Sequence, residues 1–214
     1  MYGLNSPAHI AMKQLNAFNG FFKLILTVLL LSNFSARAQK TNIFIVRIAE
    51  QSEAVLAANN TSPGLSNLGH DRAEALLKVL KHEKIQTIYI PAGKAAGQTV
   101  EPLSAKAKIL ARVYTDSVSA FIKKITRNFQ GTNVLIVAQY KDIMPIISEL
   151  GVTPPFTELT EDDYDLLFSI TINENDSREI FVNNYGKKHH DTEIPQQYII
   201  QKFYPSFVPP MNSH

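Results

Sequence analysis

Three short runs of β-branched and aromatic residues constrain the fold of this chain more than any other feature. They span residues 41–46 (Thr-Asn-Ile-Phe-Ile-Val), 85–90 (Ile-Gln-Thr-Ile-Tyr-Ile) and 133–138 (Asn-Val-Leu-Ile-Val-Ala). The first and the last carry apolar residues on both faces, which is typical of strands buried on both sides of a parallel sheet. A chain with such strands must cover both faces of its sheet.

The segments between these runs have the spacing of amphipathic helices. Apolar residues repeat at helical intervals over 73–80 and 118–125, and Ser66 and either Thr115 or Asp116 stand where helix caps are expected. Shorter helices are predicted at 99–108 and 143–150, and a weak strand at 109–113. Residues 166–172 and 180–182 flank a polar turn and predict a hairpin.

Alternating strands and helices predict an α/β fold, a three-layer α/β/α sandwich. Its sheet is expected to be mainly parallel, with a late antiparallel hairpin. In such sheets, ligand sites lie beyond the carboxyl ends of the strands. The residues that follow Val46, Ile90 and Ala138 are therefore the first to inspect for function.

The first forty residues have the pattern of a secretory signal peptide. Lys13 and Lys23 precede the apolar run 24–31, and Ala38 ends a small-residue segment suited to cleavage. We expect a signal peptide at 1–38, a domain at 39–186 and a C-terminal extension at 187–214, with the mature protein periplasmic or extracellular. The apolar run is shorter than the roughly 20 residues of a membrane-spanning helix, so no permanent span is expected after cleavage. An uncleaved anchor is the alternative, and Met12 is an alternative start.

Composition excludes several partners. The chain of 214 residues is 45% apolar and 19% charged, which suits one globular domain. Its formal charge is +2, and its Lys and Arg residues are dispersed instead of forming a basic block, so nucleic acid is not an expected partner. Cysteine is absent, which excludes disulfides and a cysteine-linked lipid.

Five segments, in order along the chain, resemble motifs of the histidine phosphatase (phosphoglycerate mutase-like) superfamily. They are residues 46–50 (Val-Arg-Ile-Ala-Glu), 64–73, 89–103 with Gln98-Thr99 and Glu101-Pro102-Leu103, 134–140 (Val-Leu-Ile-Val-Ala-Gln-Tyr) and 163–168 (Asp-Tyr-Asp-Leu-Leu-Phe). The short connection from Thr99 to Asn133 leaves no room for the large helical lid of the mutases. The resemblance is therefore to the small phosphohistidine-phosphatase branch.

The resemblance implies a chemistry whose central groups this chain has largely lost. Members attack a phosphoryl group with a histidine, and a second histidine and two arginines surround the phosphate. At the matching positions the nucleophile is Ile48, the second histidine is Gln139 and the second arginine is Ala95; only Arg47 remains. We therefore expect an inactive protein, a pseudophosphatase, with residual binding of a small anionic or phosphorylated ligand.

Arg47, Lys94, Gln139 and Tyr140 are the candidates for anion binding. Lys94 is a weaker, monodentate substitute for the lost arginine. Arg47 also has a structural interpretation, in which it pairs with a carboxylate such as Glu50. Two other functions stay open: a divergent phosphohydrolase that uses these altered residues, and an envelope protein-interaction module that uses the C-terminal tail.

Other polar clusters favour no separate site. His70 is interpreted as a solvated residue in the first turn of a helix. The adjacent His189-His190-Asp191 are expected to be solvent-exposed, and Glu161-Asp162-Asp163 to form a solvated turn or helix cap. No metal or cofactor is predicted.

Overall fold

A computed structural model describes residues 40–52, 63–128, 130–195 and 198. The predicted signal peptide at 1–38 and nearly all of 196–214 lie outside the described residues. No helix in the described ranges is both long enough and apolar enough to cross a membrane.

The centre of the domain is a six-stranded mixed sheet. Its strands are β1 (Thr41–Arg47), β2 (Thr87–Pro91), β3 (Arg112–Tyr114), β4 (Asn133–Ala138), β5 (Leu166–Ile172) and β6 (Arg178–Asn184), in the spatial order β3-β2-β4-β1-β5-β6. The strands β3, β2, β4 and β1 are parallel, whereas β5 runs antiparallel to both β1 and β6. This mainly parallel sheet with an antiparallel hairpin confirms the predicted α/β fold class.

In the ranges that the structure describes, four helices cover the two faces of the sheet. They are α1 (Asn67–Leu80), α2 (Lys94–Ala107), α3 (Val118–Asn128) and α4 (Tyr140–Glu149). Alternate residues of β1 point to opposite faces, so Ile45 packs in the same core cluster as residues of α3 and α4, while Val46 packs with α1 and α2. The fold therefore has the predicted three layers, with a separate apolar core on each side of the sheet.

Several element boundaries differ from the sequence predictions, among them those of α2 and β3. Helix α2 begins at Lys94, five residues before the predicted Thr99, because Gly93 turns the chain with a φ of 137° and the next turn buries its alanines. Strand β3 is short, and Leu110, predicted to lie in it, is 89% exposed.

The cap of α3 also differs. Ser117 accepts a hydrogen bond from the backbone N–H of Ala120 at 3.4 Å, in place of the predicted Thr115 or Asp116.

Candidate functional site

The carboxyl ends of the central strands bring three of the predicted site residues together. Arg47 ends β1 and pairs in register with Ala138, the last residue of β4. The backbone N–H of Ile48 donates to the carbonyl of Ala138 at 3.0 Å, and Gln139 follows directly as the cap of α4. Arg47, Ile48 and Gln139 therefore share one edge of the sheet.

Ile48 and Ala95 belong to the apolar core. Each side chain is 4% exposed, and both lie in the cluster between the sheet and helices α1 and α2. Thr99 reinforces this packing, since its hydroxyl accepts from the backbone N–H of Ala49 at 3.0 Å and donates to the carbonyl of Ala95 at 2.8 Å. The positions that the sequence resemblance assigns to a nucleophile and a phosphate-binding arginine thus carry buried hydrocarbon side chains.

Arg47 is held by protein groups on several sides. Its Nη1 donates to the carbonyls of Glu161 at 2.5 Å and Thr160 at 3.3 Å. Its Cζ atom lies 3.6 Å from the ring centre of Tyr164 and 5.0 Å from that of Tyr140, both within the range of cation–π contacts. Burial lowers the pKa of Arg47, and the nearby Tyr164 and acidic groups oppose that effect.

The Tyr140 hydroxyl is hydrogen-bonded to a carboxylate, and this makes the tyrosine a poorer nucleophile. Its hydroxyl donates to Glu161 Oε1 at 3.0 Å, and this hydrogen bond raises the pKa of Tyr140. A higher pKa reduces the fraction of phenolate at neutral pH. Gln139 makes no side-chain cap bond to its helix.

Lys94 is the first residue of α2. A Cβ atom built on Gly64 would come within 3.5 Å of Lys94 Cε, so the lysine stem runs beside the segment that leads to α1. Gln98, one turn further along α2, accepts from the backbone N–H of Leu65 at 2.9 Å. Both side chains therefore border that segment.

Glu50 pairs with Arg72, and the predicted pairing of Arg47 with Glu50 is wrong. Arg72 Nη2 lies 2.6 Å from Glu50 Oε1, and Arg72 Nε lies 3.2 Å from both carboxylate oxygens. Both side chains are buried, with exposures of 3% and 7%. Arg72 reaches Glu50 because α1 packs against the loop after β1, where the Ser66 N–H donates to the Glu50 carbonyl at 2.9 Å.

The ion pair changes the acidity of both partners. Burial raises the pKa of the Glu50 carboxyl, but hydrogen bonds from Arg72 and His189 outweigh it, so its pKa lies below the usual value. Burial lowers the pKa of Arg72, but the hydrogen bond and charge of Glu50 dominate, and its pKa is raised. Both groups are charged at neutral pH.

The two adjacent histidines are half-buried against the domain, so the prediction that they are solvent-exposed is wrong. His189 Nδ1 lies 2.9 Å from Glu50 Oε1, and its ring stacks on Tyr164 with centres 4.7 Å apart. His190 Nδ1 lies 2.7 Å from Asp165 Oδ1, and its side chain is 16% exposed. The buried carboxylates draw both imidazoles in, because a buried charge needs a hydrogen-bonding partner.

Asp163 is also buried, contrary to the predicted solvated turn. It is 1% exposed and accepts from the backbone N–H groups of Asp191 at 3.0 Å and Thr192 at 2.9 Å. Burial raises the pKa of the Asp163 carboxyl. These hydrogen bonds and one from the Thr192 hydroxyl lower it by more, so its pKa lies below the ordinary value. Glu161 and Asp162 are exposed as predicted, and so is His70.

A cleft of about 240 Å³ lies between α1 and the segment that carries His189. Leu68, Asp71, Lys187 and Lys188 line it, together with the Glu50–Arg72 pair and His189. His189 is 36% exposed here, and its Nε2 lies 4.0 Å from Asp162 Oδ1. The imidazole in this cleft is oriented by the Glu50 carboxylate.

Within the described ranges, His, Cys, Asp and Glu side chains form no group of three or more that could hold a metal ion. The buried carboxylates at this edge of the sheet accept hydrogen bonds from Arg72, from the two histidines and from backbone N–H groups instead.

Comparisons with known proteins identify the fold. No family model matches the chain, and no curated protein matches it. Among solved structures, the protein histidine phosphatase SixA complexed with tungstate aligns with a TM-score of 0.51 and 20% identity, over 68% of this chain and 96% of that one. Two mycobacterial hydrolases align with TM-scores of 0.54 and 0.51 at 13% and 11% identity, over 70% and 72% of this chain and 100% and 94% of theirs.

These likenesses define the class of fold: a phosphoglycerate mutase-like α/β sandwich. The resemblance to histidine phosphatases that the sequence motifs predicted is confirmed at the level of the fold. At sequence identities of 20% or less, these structural similarities establish the fold and nothing about activity or ligand.

The sequence reasoning missed the buried charges around Glu50. Arg72, Asp165 and the two histidines are separated from their partners by between 22 and 139 residues. Apolar spacing carries no information about such pairs. The available signal was a pattern: two acidic residues, Asp163 and Asp165, placed immediately before a buried strand.

Proposed function

We propose that this protein is an exported, non-catalytic relative of the histidine phosphatases that keeps a weak site for a small anion at Arg47. The observation that carries the proposal is the burial of Ile48 and Ala95 in one hydrocarbon cluster at the carboxyl edge of the sheet. A side chain without a lone pair cannot attack phosphorus, and alanine cannot neutralise the charge that develops there.

The surroundings of Arg47 support weak binding in place of catalysis. Its Nη1 is engaged by two carbonyls and its guanidinium faces two tyrosine rings, so an anion must compete with existing partners. Gln139 offers one amide donor but no proton-transfer group at neutral pH. Export rests on the N-terminal sequence pattern.

The test is phosphate release by the purified protein from phosphohistidine and from p-nitrophenyl phosphate. We expect none above the enzyme-free blank. The matched control is Arg127→Ala, an exposed arginine on α3, assayed beside Arg47→Ala. Turnover that Arg47→Ala abolishes and Arg127→Ala preserves would refute the proposal.

One observation favours a second candidate, a divergent phosphohydrolase. His189 is held by Glu50 at the edge of a cleft that also contains Lys187 and Lys188, and a carboxylate-oriented imidazole is a general base in many enzymes. A panel of phosphoesters and sulfoesters tests it. Hydrolysis lost in His189→Ala but retained in His70→Ala supports this function, and inactivity across the panel removes it.

A further inference from the structure

Three of the four contacts described for Arg47 come from one loop. Residues 160–165, called here the 160–165 loop, supply both carbonyls that bind Nη1 and the Tyr164 ring that lies 3.6 Å from Cζ. If this loop moved away, Arg47 would lose these three contacts. The availability of Arg47 for an anion therefore depends on the position of the loop.

Residues 185–192, called here the strap, hold that loop in position. The backbone N–H of Tyr164 donates to the carbonyl of His189 at 2.8 Å, and the two rings stack. Asp163 accepts from Asp191 and from both the N–H and the hydroxyl of Thr192, the last at 2.5 Å. The three hydrogen bonds to Asp163 involve a carboxylate that is 1% exposed, so they are shielded from competition by water.

The strap is fixed independently to the other side of the site. Arg72 Nη1 donates to the carbonyls of Tyr185 at 2.8 Å and Lys187 at 2.9 Å, and Glu50 contacts His189. The strap thus connects the ion pair behind β1 with the loop in front of it. Without the strap, the described structure leaves Asp163 with only one of its hydrogen-bond partners, the backbone N–H of Thr160 at 2.7 Å.

The Tyr164 ring transmits the position of the strap to Arg47. Both Arg47 and His189 contact this ring: the Arg47 Cζ atom lies 3.6 Å and the centre of the His189 imidazole 4.7 Å from its centre. A bidentate contact with an oxyanion requires two adjacent N–H groups. While the loop is seated, Nη1 donates to two carbonyls, so an oxyanion that binds the Nη1–Nη2 edge of the guanidinium must displace them.

We propose that the strap is an autoinhibitory latch: its seating fixes the 160–165 loop on Arg47, and its release frees the guanidinium to bind a phosphate-like oxyanion. The proposal rests on the anion site proposed above and adds its regulation. Seating of the strap opposes binding of the anion at the Nη1–Nη2 edge, so by linkage each weakens the other equally.

The experiment compares inorganic phosphate binding in three variants of the full chain by titration calorimetry. His189→Ala with Thr192→Val removes two strap contacts, and we expect the Kd for phosphate to fall about tenfold, the effect of one charged hydrogen bond. The matched control is His82→Ala with Thr126→Val, the same substitutions at exposed positions, in which the Kd should not change. Adding Arg47→Ala to the strap variant should abolish the gain.

An unchanged Kd in the strap variant, or a gain that survives Arg47→Ala, would overturn the latch. A second measurement needs no substitution and so covers a variant that fails to fold. In the unmodified protein, phosphate well above its Kd should accelerate amide hydrogen exchange at Tyr164 and Thr192, relative to chloride at equal ionic strength. Unchanged or slower exchange would also overturn the latch.

Phosphate release measured on the same samples separates the two proposals. Turnover would refute the proposed loss of catalysis and leave the latch standing. Binding that does not depend on the strap would refute the latch and leave the loss of catalysis standing.

Discussion

Replacing Arg72 by alanine should destabilise the protein more than most single substitutions would. Arg72 bonds Glu50 at 2.6 Å and two backbone carbonyls at 2.8 and 2.9 Å, in a site where its side chain is 3% exposed. Its loss leaves Glu50 as a buried carboxylate with His189 as the remaining side-chain partner. Breaking a buried pair from one side costs about 3–5 kcal/mol of unfolding free energy.

Urea unfolding followed by far-ultraviolet circular dichroism measures this loss. We expect a lower midpoint with an unchanged slope, because the surface exposed on unfolding stays the same. The double substitution Arg72→Met with Glu50→Leu is the informative comparison, since replacing both charges by apolar groups is often close to neutral. It should therefore unfold at a higher urea concentration than Arg72→Ala.

A small effect would refute this reasoning. If Arg72→Ala costs less than about 1 kcal/mol, the pair behaves like an exposed salt bridge. The packing of α1 against the loop after β1 would then differ from the structure. Arg127→Ala, on the exposed face of α3, is the matched control and should stay within about 0.5 kcal/mol of the unmodified protein.

Two further predictions concern backbone space and pH. Gly69→Ala should destabilise the protein by about 1–3 kcal/mol, because its Cβ would clash with the backbone carbonyl oxygen of Glu50. Gly97→Ala, with open space inside α2, should stabilise it by about 0.5–1 kcal/mol. Urea unfolding measures both changes in unfolding free energy, and changes of the same sign for the two variants would contradict this reasoning. The folded pKa values of Glu50 and Asp163 lie below their ordinary values of 4.5 and 3.8. Their stabilisation is therefore complete above that range and is lost as the pH falls through the folded pKa values. In Asp163→Asn, the unfolding free energy should fall less steeply as the pH is lowered. An unchanged dependence on pH would refute the stabilising role assigned to the Asp163 carboxylate.

The elements of the fold were largely predictable from local patterns. Strand β4 has the predicted bounds, and the predicted cap Ser66 accepts from the backbone N–H of Gly69 at 3.1 Å. Buried strands and amphipathic helices leave a periodic signal because burial repeats with the geometry of the backbone. The start of α2 was missed because Gly93 and Gly97 look like loop residues, and only packing on the sheet makes their segment helical.

The sequence predicted which catalytic side chains the candidate site lacks, but it did not predict which residues contact Arg47. That Ile48 and Ala95 cannot do phosphoryl chemistry follows from their side chains alone. The contacts of Arg47 with Thr160, Glu161 and two tyrosines could not be inferred from the sequence, because those residues lie far from Arg47 along the chain.

The amino-acid sequence by itself determined the layers of this protein, because hydrophobic periodicity acts over a few neighbouring residues. Tertiary structure decided which charges meet. The carboxylate of Glu50 finds Arg72 at a separation of 22 residues and His189 at 139, and only the crossing of the chain at the sheet edge brings them within hydrogen-bonding distance. A buried charge is stable only with such partners, so the strap and the edge of the sheet are defined together.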